Sequence, residues 1–187
     1  WAEVRIMAKK VLKANIFSPS SIQELQKQLG DYKNSLNEKC EQFVRELAES
    51  GISVAKQNVG NYGKYITFSV KTKQDQNGCK GVLLASNTGI IKSEWRTQDG
   101  VKTADVSPLL MAEFGSGMKA ENPMNVPGVG QGTFPGGTHG NDPSGWWWMD
   151  LNGEWHHSRG VTPTMPMYHA SLEMIAKVQS IARRVFG

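Results

Sequence analysis

The chain has 187 residues, 39% hydrophobic and 20% charged, with a net charge of +4. That length supports one domain with a real core, and the apolar fraction, though a little low, is still that of a globular protein. No run of about 18 apolar residues occurs, so no membrane-spanning helix is expected. The start, WAEVRIMAKKVLKANIF, lacks an apolar h-region and carries lysines inside it, so no secretory signal is expected either. Cys40 and Cys79 lie outside any Cys-x-x-Cys pair, which argues against a zinc framework and for two reduced thiols. The basic excess sits at the ends, in Arg5, Lys9, Lys10 and Lys13 and in Lys177, Arg183 and Arg184. No like-charge block or aromatic-interleaved basic stripe marks a nucleic-acid module, so these charges read as a solvated face.

In chain order, residues 4–17 read as a strand and a loop. In SPSSIQELQKQLG, Ser21 and Glu24 have the spacing of a capping box. Ile22, Leu25 and Leu29 then share a face, and Gly30 is placed to end the helix. A long amphipathic helix is predicted from Asp31 to Asn58. Its stripe runs through Tyr32, Leu36, Cys40, Phe43 and Leu47 and continues through Ala48, Ile52, Ala55 and Val59. The breadth of that stripe suits packing on a sheet better than a two-stranded coil, and Gly51 within it weakens the helix by about 1 kcal/mol relative to Ala.

After NVGNYGKY, the stretch YITFSVKTK alternates, with Ile66, Phe68 and Val70 on one face. With the Asn77-Gly78 turn signal and CKGVLLASN, residues 64–87 read as a β-hairpin. GIIKSEWRTQDG is a candidate third strand. Ser107 and Pro108 open a helix that runs to Phe114 and stops at Gly115. From Gly115 to Gly145, nine of 31 residues are glycine and four are proline. This is a loop insertion of the kind that is either functional or disordered. Its GVGQGTFPGG lacks the Gly-Lys-Ser/Thr and the strand-to-helix setting of a phosphate loop.

GWWWMDLNGEWHHSRG, residues 145–160, holds four of the six tryptophans. The Asn152-Gly153 turn signal makes it a second hairpin. Alternation puts Trp146 and Trp148 on one face, with Trp147 and Met149 on the other. Across the turn, Trp155 and His157 oppose His156 and Ser158. Both faces are aromatic, and a lone hairpin cannot bury both; one can lie on the core while the other needs a second surface. The chain closes with a helix from Pro166. Its apolar residues recur from Met167 to Val185, and Lys177, Arg183 and Arg184 lie toward the C-terminal end of the dipole.

The chemistry offered by these residues is thin. His156 and His157, adjacent on a strand, point to opposite faces and cannot share one metal. His139, Asp142, Asp150 and Glu154 show no helical or knuckle spacing, so no metal site is expected. FGSGM is only a fragment of a nucleophile elbow and follows a helix. Glu113 and Glu154 could be cast as the carboxylate pair of a glycosidase only by residue type. No catalytic residue and no cofactor are predicted.

Three segments together resemble phage tail-completion and neck proteins, the small head–tail joining proteins of long-tailed bacteriophages and prophages. LLMAEFGSGM resembles their helix-plus-EFG element. GWWWMDLNGEWHHSRG resembles their aromatic hairpin, and TPTMPMYHASLEM the lead-in to their last helix. SIQELQKQL and the long helix fit the same layout, so the likeness runs from about Ser18 to the end. The glycine-rich insert is longer than that family's, and the tryptophan triplet heavier.

The resemblance implies a structural virion protein, not an enzyme, of α+β fold: a small antiparallel sheet against two long amphipathic helices, in a single domain over residues 1–187 with the 115–145 insertion. It implies a hexameric ring, made in the host cytoplasm and carried in the tail or neck. The ring would contact the head–tail connector and the tail-tube or tail-terminator proteins, DNA would pass through it without specific recognition, and no membrane would be involved. The assembly surface expected on this basis is Trp146, Trp147, Trp148, Trp155, His156 and His157, with Phe134 and His139 of the loop, while Glu113, Phe114 and Gly115 hold the helix-to-loop junction. The competing readings are a cell-wall-sugar hydrolase using His139, Glu154 and His157, and a nucleic-acid-binding protein using the terminal Lys and Arg residues.

Overall fold

A computed structural model of the chain describes residues 18–75, 78–127 and 143–187. The architecture is α+β. Helix α1 spans Pro19–Asn58, strands β1 and β2 span Ile66–Asp75 and Gly78–Asn87, and strands β3 and β4 span Ile91–Thr97 and Gly100–Val106. Helix α2 spans Pro108–Phe114, strands β5 and β6 span Trp146–Met149 and Trp155–Ser158, and helix α3 spans Pro166–Phe186. The strands form a two-stranded sheet, β1-β2, and a four-stranded sheet in the order β4-β3-β5-β6. Among the described residues, no helix is long and apolar enough to cross a membrane.

The N-terminal helix departs from its expected boundaries. It is one helix of 40 residues, not two that meet at Gly30. Ser18 starts it: its carbonyl accepts from the Ile22 amide at 3.2 Å and its hydroxyl from the Ser21 amide at 3.4 Å, with Pro19 in the first helical position. The expected Ser21–Glu24 box is therefore displaced by one turn, and the Glu24 carboxylate instead accepts from the Gln28 amide group at 3.0 Å. Gly30 is not among the glycines with positive φ. Glycine inside a helix is disfavoured by only about 1 kcal/mol, which the continuing hydrogen-bond ladder outweighs unless a left-handed cap forms.

The first hairpin follows its alternation, except that Lys64 and Tyr65 end a 3-10 turn over Gly60–Tyr65. Ile66 is buried while Thr67, Ser69 and Lys71 are exposed. Asn77 of the turn lies outside the described residues, as do 4–17. The third strand is present as β3, and it is followed by a strand that patterning did not reveal. β4 pairs with β3 from Thr97↔Gly100 to Ile91↔Val106, and the intervening Gln98-Asp99 is a two-residue hairpin loop. Asp99-Gly100 was the available signal; β4 itself is exposed along most of its length, so no apolar alternation announces it.

The contacts divide the chain into two units. One comprises the residues up to Ser50, Val70–Leu83 and Met174–Gly187. Ala48, Ile181 and Val185 are buried there, and the rings of Phe43 and Phe186 lie 5.8 Å apart. β2 approaches α1 so closely at Gly81 that a Cβ would sit 3.0 Å from Val44. Arg184 of α3 donates to Glu46 of α1 at 2.6 Å. The other unit comprises Gly51–Ser69 and Leu84–Glu173. Its core is Val59, Ile66 and Ala112, flanked by Tyr62, Phe68, Ala85 and Leu109.

Candidate functional site

The site is assembled from α2 outward. Ser107 caps α2, its hydroxyl accepting from the Leu110 amide at 3.3 Å. Asn87 at the end of β2 accepts from the Leu109 amide at 2.9 Å and donates to Ser107 Oγ at 2.8 Å. Two side chains thereby satisfy the first-turn amides and fix the direction of α2. Near its other end sits Glu113, 8% exposed. Its carboxylate accepts from the backbone amides of Met167 and Tyr168 at 2.8 and 2.9 Å.

Those are the second and third residues of α3, so Glu113 caps a helix distant in sequence. Pro166 has no amide hydrogen, and the His169 amide reaches the Met165 carbonyl at 3.0 Å. All four positions at the start of α3 are thus satisfied or need no partner. A buried carboxylate at a helix N-terminus is also favoured by the helix dipole. Burial pushes the Glu113 carboxyl above its ordinary value, while the two amides and His169 pull the other way without reversing the shift.

Past Glu113 the chain turns sharply and becomes the clamp of the second hairpin. Ser116 exchanges amide–carbonyl bonds with Val161 at 2.9 and 3.1 Å, and the Met118 amide donates to the Arg159 carbonyl at 3.0 Å. Gly115 has φ 68° and a Cβ there would fall 2.2 Å from the Val161 carbonyl oxygen. Gly117 has φ 59° and a Cβ would strike the Trp146 ring at 2.7 Å. The two glycines of FGSGM are therefore packing requirements and not parts of a nucleophile elbow. Gly117→Ala is expected to destabilise the protein by about 1–3 kcal/mol through strain and steric overlap. The midpoint of urea unfolding measures this.

The hairpin follows its predicted alternation. Trp146, Trp147, Trp148 and Met149 stand opposite Ser158, His157, His156 and Trp155. One face carries Trp146, Trp148, His156 and Ser158, all half-buried. Trp146 lies on Gly117, and Trp148 stacks on His156 with centroids 4.6 Å apart. The other face carries Trp147 and Trp155, 66% and 62% exposed, with exposed His157 tilted against Trp147 at 4.8 Å. His157 Nε2 lies 2.7 Å from the Ser144 carbonyl.

The connection is a five-residue loop rather than a two-residue Asn-Gly turn, because Met149↔Trp155 is the closing pair. Asp150 organises it. Its Oδ1 accepts from the amides of Asn152 and Glu154, each at 2.9 Å, and its Oδ2 lies 3.0 Å from His156 Nε2. The Glu154 amide bond and the His156 contact lead the causes that hold the Asp150 carboxyl below its usual range. A depressed native pKa contributes stability above the unfolded value, and this is lost as pH falls through the native one. The hairpin is therefore expected to loosen selectively at acidic pH, seen as a loss of near-ultraviolet tryptophan dichroism that Asp150→Asn removes.

The loop also brings together Asp150, Glu154 and His156, whose ligating atoms lie within 4.8 Å of one another. The spacing Asp-x-x-x-Glu-x-His gave no sign of this, since only the folded-back loop closes it. Glu154 is grouped with His156 and not with His157, the partner expected for a hydrolase. Both oxygens of Glu113 accept α3 amides. Phe134 and His139 lie outside the described residues. The six hairpin residues form one element but divide between its two faces. Glu113, Phe114 and Gly115 stand where α2 meets the clamp, with the Phe114 carbonyl accepting from the Glu121 amide at 2.9 Å. No family model matches the chain, and no curated protein or solved structure does.

Proposed function

We propose that this protein is a structural virion component of the tail-completion or neck type, forming a ring that joins a phage tail to the connector of the head. The observation that carries this reading is the outer hairpin face. Two indoles at 66% and 62% exposure stand on one face of a paired ribbon, whereas large aromatic surface of this kind ordinarily anchors an interface. The rest of the molecule supports the same reading. Among the described residues the buried apolar side chains are Val59, Ile66, Ile181, Val185, Pro108, Pro166 and alanines, while Ile175 of α3 remains 71% exposed and Leu172 46%. A chain that leaves side chains as large as Trp147, Trp155 and Ile175 in water is suited to completion by neighbours.

In this reading the neighbours are further copies of the chain in a hexameric ring, with the connector on one side and tail-tube or tail-terminator proteins on the other. DNA crosses the ring without being recognised, and the work is mechanical rather than catalytic. Gold-labelled antibody against the protein, applied to intact particles, tests the assignment. Label confined to the head–tail junction is expected. Label along the tail, or particles that lack the protein, overturns it.

A further inference from the structure

We infer that the loop of the second hairpin is a binding site for a divalent transition-metal ion, with Asp150, Glu154 and His156 as its protein ligands. The three ligating atoms already converge within 4.8 Å. Metal–ligand distances of about 2.0–2.2 Å place neighbouring donors about 3–4 Å apart, so the side chains need only small rotations to close on an ion. Two of the donors are also held in orientation, and the third through its backbone. Two amides fix Asp150 through Oδ1 and leave Oδ2 turned toward His156. The His156 ring is stacked on Trp148. The backbone of Glu154 is held on both sides, its amide by Asp150 Oδ1 and its carbonyl by the Asp150 amide at 2.9 Å. Such outer contacts orient metal ligands and strengthen binding.

The chemistry selects the class of ion. Two carboxylates in this space repel each other, and a dication relieves both. The imidazole nitrogen favours zinc and its borderline neighbours over magnesium or calcium, which prefer oxygen alone. One nitrogen and two oxygens leave further positions for water. Bound there, the ion replaces the His156–Asp150 hydrogen bond and ties the loop to β6. His157, on the opposite face, takes no part.

Titration calorimetry of the tag-free full chain with zinc chloride tests the site, with magnesium chloride as the comparison. The wild type and His157→Gln are expected to bind zinc stoichiometrically and to give no heat with magnesium. Glu154→Gln and His156→Gln are expected to weaken zinc binding on the order of 100-fold, given that loss of outer contacts alone reaches 10–100-fold. Glu154 is exposed, so its substitution leaves the fold intact, which circular dichroism checks. Cobalt should quench tryptophan emission in the wild type and not in His156→Gln. An absence of zinc heat in the wild type overturns the site, as does unchanged affinity in both Glu154→Gln and His156→Gln.

Discussion

Glu113→Ala is expected to lower the stability of the protein by about 3 kcal/mol, because two half-buried helix amides lose a charged acceptor together. For a chain of this size, that corresponds to a fall in melting temperature of roughly 6–12 °C. The Met167 and Tyr168 amides sit at the first turn of α3, where no intrahelical carbonyl is available to them. Glu113→Gln keeps one oxygen but faces an amide group toward the other donor, so an intermediate loss is expected.

The pH dependence separates the charge from the hydrogen bonds. Glu113 has its carboxyl raised by burial. The native state therefore keeps a proton that the unfolded chain has already released. This group's contribution is full below the ordinary glutamate range and is lost as pH rises through the raised native value. The stability of the wild type relative to Glu113→Gln should accordingly decline with rising pH above about 4.3, the unperturbed glutamate value. Urea unfolding at several pH values measures both effects. An unchanged midpoint in Glu113→Ala would mean that another group takes over the two amides.

Trp147→Ser combined with Trp155→Ser is expected to leave the monomer folded and to prevent assembly of complete particles. Both side chains are mostly in solvent, so their loss removes little from the isolated fold. At an interface, each buried tryptophan anchor is worth about 2 kcal/mol or more. The pair together weakens each contact on the order of 1,000-fold. Complementation of a phage lacking the gene measures particle yield, and thermal unfolding of the purified variant measures the fold. Wild-type yield from the double variant would end the interface reading. Trp148→Ala is the contrasting variant: its ring is half-buried against His156 on the inner face, and its loss should lower stability by about 2 kcal/mol.

Much of this organisation was legible because local signals and tertiary packing agree. The 2-residue period of ITFSV placed β1 and its faces, the Asn152-Gly153 signal placed the second hairpin, and Ser107-Pro108 located the start of α2. Where a local signal was weak or ambiguous, tertiary context decided. Gly30 is compatible with both a helix end and a helix interior, and the backbone took the interior. β4 lacks an apolar stripe because little of it is covered, so its only trace was Asp99-Gly100.

The sequence by itself determined the α+β composition and the two-faced aromatic hairpin, since these follow from periodicity, turn signals and residue type. Only the tertiary structure decided which tryptophans face outward, that Glu113 caps a helix more than fifty residues away, and that Asp150, Glu154 and His156 converge. Periodicity assigns a residue to a face of its own element, but it carries no information about which element covers that face. A cap, a clamp or a ligand set drawn from separated segments exists only once loop closure has brought those segments together.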